Sequence, residues 1–298
     1  MPGVSKIIKN RIKSVGNARN ITKAMELVAA AKIKKAVSNL MASRTYALHA
    51  RELLANLSKE QDLKHPLLSK KETDKELLVV IASNRGLCGG YNTNIIKTAI
   101  DYVKKSAGKK IDIISVGKKS ESIARVAGSK IIASFIKFPD DLYTDDILPL
   151  SKMIIEEYEK GGYSKVSIAF TNFVSGLKYD PKVASLLPIT KDILEEIAPS
   201  KEDNHNKKAK AIILFEPSEE AVLNLVLPRL TEVRIYQTLL ESNASEHSAR
   251  MIAMKNATDN AKEIVEELTL YYNQERQAGI TQEIAEISSG IEALTNVG

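Results

Sequence analysis

"RQAGITQEIAEISSG", residues 276–290, decides how the chain is read. Ile280, Ile284, Ile287, Ile291 and Leu294 recur at alternating spacings of four and three, the stripe of a helix that buries one narrow face against another helix. Helix signals extend backwards from this stretch to Ser218, with Pro228 as the sole proline and Pro217 suited to a first helical turn. A heptad trace passes through Val226, Leu230, Val233, Gln237, Leu240, Ala244, His247, Met251, Met254, Thr258, Ala261, Val265, Leu268 and Tyr272, and then slips by one residue into Ile280. One very long helix is expected over 217–298.

Its partner is expected at the other end. From Val4 to about Ser58 there is no proline and one glycine, Gly16, and the run is rich in Ala, Leu, Lys, Met and Arg, so a second long helix follows from propensity. Ile8, Ile12 and Val15, then Ile21, Met25 and Val28, then Ile33, Val37 and Leu40 make a narrow, drifting seam. At about 1.5 Å per residue the first helix spans on the order of 80 Å and the last on the order of 100 Å if unbroken, too long for one globular domain. Their charges are complementary: residues 1–60 hold twelve Lys or Arg against Glu26, Glu52 and Glu60, whereas residues 240–298 hold ten acidic groups against Arg250, Lys255, Lys262 and Arg276. Each narrow seam needs a partner, so the two helices are expected to pair as an antiparallel coiled coil, with Ile280 to Leu294 packing first on the N-terminal helix. The last helix outreaches the first, and its tip near Ser288 to Gly298 then requires enclosure by something else.

Between the helices the periodicity changes. His65-Pro66 and SKKETDKE mark a linker over 61–75, and residues 76–216 alternate short apolar runs with amphipathic segments. LLVVIA (77–82), IDIISVG (111–117), KIIASFI (130–136), KVSIAFTN (165–172) and AIILF (211–215) read as strands, KVASLLPI as a further candidate, and helices fall near 93–106, 118–127 and 145–160. The expected fold class is a Rossmann-like, three-layer α/β domain between coiled-coil helices at 1–60 and 217–298.

With 298 residues, 44% hydrophobic, the chain can bury a sizeable core. No window approaches eighteen consecutive apolar residues, and MPGVSKIIKNRIKS threads charges where a secretory signal would be apolar, so neither a membrane span nor a signal is expected. A single cysteine, Cys88, excludes an internal disulfide and fits a reducing compartment. SNRGLCGGYNTN (83–94) follows a strand and opens a helix, where α/β proteins bind phosphates, but it matches neither G-x-G-x-x-G nor G-x-x-x-x-G-K-[ST]; a tight turn for packing or protein contact is the plainer reading. Ser245, Glu246, His247 and Ser248 are consecutive on one helix and cannot converge as a triad. His49, His65, His205 and His247 lack metal-ligand spacing, and Cys88 has no base nearby in sequence and suits packing. No catalytic residue, cofactor or metal is expected. The basic N-terminal helix carries no aromatic before Tyr46 and the chain has no Trp, so a stacking platform for nucleic acid is missing. The competing readings are a nucleotide-binding α/β enzyme with helical arms, which lacks a phosphate motif, and a nucleic-acid adaptor, which needs the basic helix unpaired.

RIKSVGNARNITKAMELVAAAK, SNRGLCGGYN and SEHSARMIAMKNATDNA, followed by LTLYYNQERQAGITQEIAEISSG, resemble the gamma-subunit family of bacterial F-type (F1Fo) ATP synthases, in the same order and over nearly the whole chain. Asn84 departs from it, since the family commonly has Asp there. The resemblance implies a non-catalytic rotor shaft inside a ring of alpha and beta subunits, driven by a proton- or sodium-powered membrane c-ring and seated on it with epsilon, in single copy, without nucleic acid. It implies that Lys23, Met25, Arg85, Cys88, Arg250, Arg276, Gln277 and Thr281 face beta, the Arg85 and Cys88 loop lying near beta's acidic lever. Phe215, Glu216 and Pro217 would form the foot on the membrane ring, where the family often has Tyr at the first position. The chloroplast form's cysteine-bearing insert is not seen, and the N-terminal motif begins at once, leaving no room for a transit peptide. The implied location is the cytoplasmic face of a bacterial plasma membrane, held there through the complex.

Overall fold

The computed structural model describes residues 2–57, 65–106, 108–136, 138–139, 142–176, 178–190 and 218–295, with side chains omitted for 2–5, 44–57, 219 and 292–295. The elements in order are α1 (Pro2–Leu57), β1 (Lys75–Ile81), α2 (Tyr91–Lys105), β2 (Lys110–Val116), a 3-10 turn at Lys118–Glu121, α3 (Ser122–Ala127), β3 (Ile131–Phe135), a 3-10 turn at Thr144–Ile147, α4 (Leu148–Glu159), β4 (Lys165–Ser175), β5 (Lys178–Leu187) and α5 (Glu219–Thr295). Two compact units result, residues 1–28 with 251–298, and residues 29–250.

The larger unit is built on one five-stranded sheet of order β3-β2-β1-β4-β5. β1 pairs in parallel with β2 and with β4, β2 pairs in parallel with β3, and β5 closes the sheet antiparallel to β4. Both faces of β1 are buried, which is why LLVVIA is a continuous apolar run instead of an alternating one. Leu77, Val79 and Ile81 face a core shared with Leu150, Ile154 and Tyr158 of α4 and with Leu223, Leu227, Leu230 and Leu240 of α5. Leu78 and Val80 face Ile95 and Ala99 of α2 and Ile123 of α3. The layers are helix, sheet and helix, in agreement with the expected fold class. KVASLLPI falls within β5 and at its end, and its antiparallel direction is set by the short return from β4. The candidate strand at 211–215 lies outside the described residues.

His65 ties the segment before β1 to α5. Its Nδ1 accepts from the Leu67 amide at 3.0 Å, so the ring proton sits on Nε2 and is donated to Asn224 Oδ1 at 3.0 Å. No described helix is long and apolar enough to cross a membrane.

In the smaller unit α1 and α5 pair along a narrow seam. The Thr258 hydroxyl donates to that of Thr22 at 2.8 Å. From that point burial runs along α1 towards its N-terminus, to Ile8, and along α5 towards its C-terminus, through Ala261, so the pairing is antiparallel. Half-buried positions continue the α5 seam through Val265, Leu268, Tyr272, Glu275 and Gly279 in unbroken four-three steps. Here the expected packing of Ile280, Ile284, Ile287 and Ile291 does not hold, and that of Leu294 lies outside the described side chains. The heptad leads to Glu275 and Gly279, where burial ends, and Ile280, Ile284, Ile287 and Ile291 beyond it are exposed. Past Gly279 every residue to Ile291 is exposed, the continued seam positions Gln282, Glu286 and Ser289 included, so this end of the helix has no partner among the described residues.

Candidate partner-binding site

The SNRGLCGG loop connects β1 to α2 and is held by its own side chains. Asn92, in the first turn of α2, reaches back: its Oδ1 accepts from the Ser83 amide at 3.0 Å, and its Nδ2 donates to Ser83 Oγ at 2.8 Å and to Cys88 Sγ at 3.2 Å. The Ser83 hydroxyl donates to the Arg85 carbonyl, which curls the chain over. Cys88 is thereby turned inward, 2% exposed, against Tyr91 and Ala249 with Tyr179 beside them. Burial, with Glu246 nearby, pushes the Tyr91 phenol far above its ordinary range.

A second turn supports the loop from the side. Asn84 Oδ1 accepts from the Lys118 amide at 3.0 Å, and the Lys119 amide donates to the Ser83 carbonyl at 3.0 Å. Asn84 thus supplies the carbonyl acceptor that an Asp would supply, without the charge. The close approach needs Gly117, whose φ is 85° and where a Cβ would lie 2.0 Å from the Ala82 carbonyl oxygen. From α5, Arg250 Nη2 donates to Glu246 Oε1 at 2.7 Å and to the Gly86 carbonyl at 3.4 Å, while Nη1 meets His247 Nδ1 at 3.1 Å. The result is a braced loop whose Arg85, Gly86 and Leu87 face solvent.

The structure therefore brings together Arg85, Cys88 and Arg250, which are distant in sequence. The surface placement implied for Cys88 is corrected: its thiol lies behind the loop and supports it. Arg250 is largely occupied within the chain. Lys23 is exposed and paired with Glu26 at 3.0 Å, and Met25 is half-buried. Arg276, Gln277 and Thr281 are exposed on α5 among the isoleucines, with the Thr281 hydroxyl donating to the Gln277 carbonyl at 2.9 Å. Phe215, Glu216 and Pro217 lie outside the described residues. Sequence reasoning passed over Asn92, Glu246 and Leu87 as supports or contacts. Asn92, in the first turn of a helix just after a glycine loop, carried a usable signal for a loop-bracing role; Glu246 and Leu87 carried none.

Nothing in this arrangement converges on a reacting atom. A groove of about 530 Å³ between α1, the turn at Thr144–Ile147 and α5 is mainly apolar, and its charged groups, Arg229 and Glu232, pair with each other at 2.8 Å. Among the described residues no three His, Cys, Asp or Glu side chains gather as a metal site. Fold and site together define a protein of two units, an α/β unit with a braced, exposed loop and an antiparallel pair of long helices.

Comparison with known proteins identifies which one. The family described as ATP synthase matches residues 5–294. The ATP synthase gamma chain of Heliobacterium modesticaldum is 40% identical over 295 residues, covering 99% of this chain and 100% of its own, and that of Herpetosiphon aurantiacus is 40% identical over 298 residues, covering 96% and 97%. Among solved structures, the central stalk and c-ring of the Tetrahymena thermophila mitochondrial ATP synthase contains a chain with TM-score 0.59 and 25% identity, covering 80% of this chain and 99% of that one. The Euglena gracilis mitochondrial ATP synthase contains one with TM-score 0.66 and 20% identity, covering 99% and 95%. The chain belongs to the ATP synthase gamma-chain family.

Proposed function

We propose that this gamma chain is the central rotor shaft of an F-type ATP synthase, turning within a ring of alpha and beta subunits and coupling the rotation of an ion-driven membrane ring to conformational cycling of beta. The chain itself carries no chemistry in this reading; ATP is made or hydrolysed on beta. The observation that carries the reading is the stripe Ile280, Ile284, Ile287 and Ile291, exposed on the helix beyond Gly279, where its coiled-coil seam ends. Four half-exposed isoleucines in a row forgo roughly 5 kcal/mol of apolar burial, and such a stripe calls for a sleeve supplied by other chains. Arg276, Gln277 and Thr281 on the same stretch, with Lys23 on α1 and Arg85 on the loop, supply polar contacts that can be made and released as the shaft turns. Beta is their proposed partner, and that of Met25 and Arg250, while epsilon and the c-ring are proposed partners at the foot. The assembly is proposed to hold one copy of the chain at the cytoplasmic face of a bacterial plasma membrane.

The test is purification of the complex from membranes under mild detergent. One copy of this chain with alpha, beta and epsilon is expected. Recovery of the chain free of alpha and beta, with ATPase activity intact in the remaining complex, would refute the reading.

A further inference from the structure

α5 changes how it is held at Leu240. Up to that residue its buried face includes Leu223, Leu227, Leu230, Leu239 and Leu240, packed into the core with α4 and the sheet. From there to Ala249 the buried residues are Ser242, Ala244, Ser245, His247, Ser248 and Ala249, small or polar throughout. Ser242, Ser245 and Ser248 stand three apart, on one face of the helix, and none is more than 1% exposed. A hydroxyl in mid-helix commonly bonds the carbonyl one turn back, but these three reach out to β4 and the turn that follows it. Ser242 Oγ accepts from the Thr171 amide at 3.4 Å, the Ser245 hydroxyl donates to the Thr171 carbonyl at 3.1 Å, and the Ser248 hydroxyl donates to the Gly176 carbonyl at 2.5 Å.

The sheet explains why these backbone groups are open. Thr171 lies opposite Pro181 of β5, which has no N–H, so Thr171 turns its own N–H and C=O to the other edge of β4. There β1 has already ended, its pairing with β4 stopping at Val80 and Ala169. Thr171 is 1% exposed, and a buried peptide group without a partner is costly. The serines of α5 stand in for the missing strand.

Such bonds hold a helix differently from leucines. Apolar contact is non-directional and yields gradually as a helix rolls. A roll of about 30° moves even the Cα atoms, about 2.3 Å from the axis, by about 1.2 Å, which breaks a short hydrogen bond. The amide and the carbonyl of Thr171, gripped by hydroxyls one turn apart, therefore fix the rotational setting of α5 on the sheet. α5 belongs to both units and passes from the larger to the smaller between Arg250 and Met251, just beyond the last serine. We propose that Ser242, Ser245 and Ser248 are positioning residues that key α5 to β4 and carry the turning load passed along α5 between the α/β unit and the helical pair. This role rests on the rotor function proposed above.

The test replaces all three serines by Ala in the full chain of the assembled enzyme, with Ile154→Val, which trims the core away from the serines, as the control for lost stability. Two rates are read: ATP hydrolysis by the alpha–beta subcomplex with this chain, where the shaft turns against no load, and ATP synthesis by the enzyme in vesicles, where the load enters at the membrane ring. The serine variant is expected to lose synthesis about fivefold while hydrolysis stays within about twofold, and the control to move the two rates together. Should the triple variant fail to assemble, Ser245→Ala alone, which removes one donor, is read in the same way. In the free chain, Ser242→Ala is expected to speed amide hydrogen exchange at Thr171 about tenfold and to leave Ile168, which lies between β1 and β5, unchanged. Synthesis and hydrolysis that fall together overturn the proposal, since the serines would then only support the fold. Unchanged rates, or a Thr171 amide that exchanges no faster, overturn it as well. Coupled synthesis by an enzyme assembled without this chain overturns the rotor reading itself.

Discussion

Replacing Ile284 and Ile287 together by Asp separates what the stripe contributes to the free chain from what it contributes to the complex. In the free chain these side chains are 62% and 64% exposed, so their loss removes little packing. The cost there is the lower helix propensity of Asp, the mutual repulsion of the two new carboxylates three residues apart and that of the one at 287 by Glu283 four residues away, about 1 kcal/mol in total. For a chain of this size that lowers the melting temperature by only about 2 °C. In the assembled enzyme the same side chains would lose their sleeve. Full burial of an isoleucine is worth roughly 1.5–3 kcal/mol, so the exposed shares of the two sum to roughly 2–4 kcal/mol, before the cost of enclosing two carboxylates is added. The free chain should therefore keep its helical circular dichroism and nearly its full melting temperature, while its affinity for the alpha–beta subcomplex falls at least thirtyfold. Coupled ATP synthesis should fall with it. A free chain that loses more than about 3 kcal/mol would show that the isoleucines are an internal seam after all. Unchanged affinity and unchanged synthesis would show that the stripe faces no partner.

Three further outcomes follow from the geometry. Gly117→Ala, which sets a methyl 2.0 Å from the Ala82 carbonyl oxygen at a φ of 85°, should cost more than about 3 kcal/mol in denaturant unfolding, whereas Gly16→Ala, with nothing within 4 Å, should be neutral or stabilise α1 by about 1 kcal/mol; equal effects would contradict the close approach. Asn92→Ala removes the bonds to Ser83 and Cys88 and should cost about 1–3 kcal/mol, and it should speed reaction of the Cys88 thiol with a maleimide, which the native chain is expected to resist; rapid labelling of the native chain would refute the buried placement. Burial pushes the Tyr158 phenol up to about 12 from 10.0, and raises Tyr102 and Tyr163 as well. A raised folded value means the folded chain holds these protons more tightly than the unfolded one, so their contribution is complete below about pH 10 and is lost as pH rises towards 12. Phenolate absorbance and unfolding should therefore rise together in that window, and a chain equally stable at both ends of it would refute the assignment.

The two long helices were legible in the sequence because their cause is local: a near absence of proline and glycine, good helix formers and a seven-residue apolar repeat need no distant partner to be recognised. The strands of the sheet were legible for a similar reason, as short apolar runs bounded by glycines. Strand order was not, because parallel pairing joins Leu77 to Asp112 and to Val166 across long crossovers that leave no periodic trace along the chain. The path of the coiled-coil seam past Tyr272 was also beyond the sequence. Glu275 and Gly279 look unsuited to a seam and Ile280 looks ideal, yet the helix keeps its angular step to Gly279 and burial ends there, so the isoleucines beyond it remain exposed. In the loop, sequence singled out Arg85, Cys88 and Arg250 but not their division of labour. Whether a side chain points to solvent or to the core depends on φ at Leu87, on the reach of Asn92 and on α5 passing beside Gly86, and only the tertiary structure sets all three.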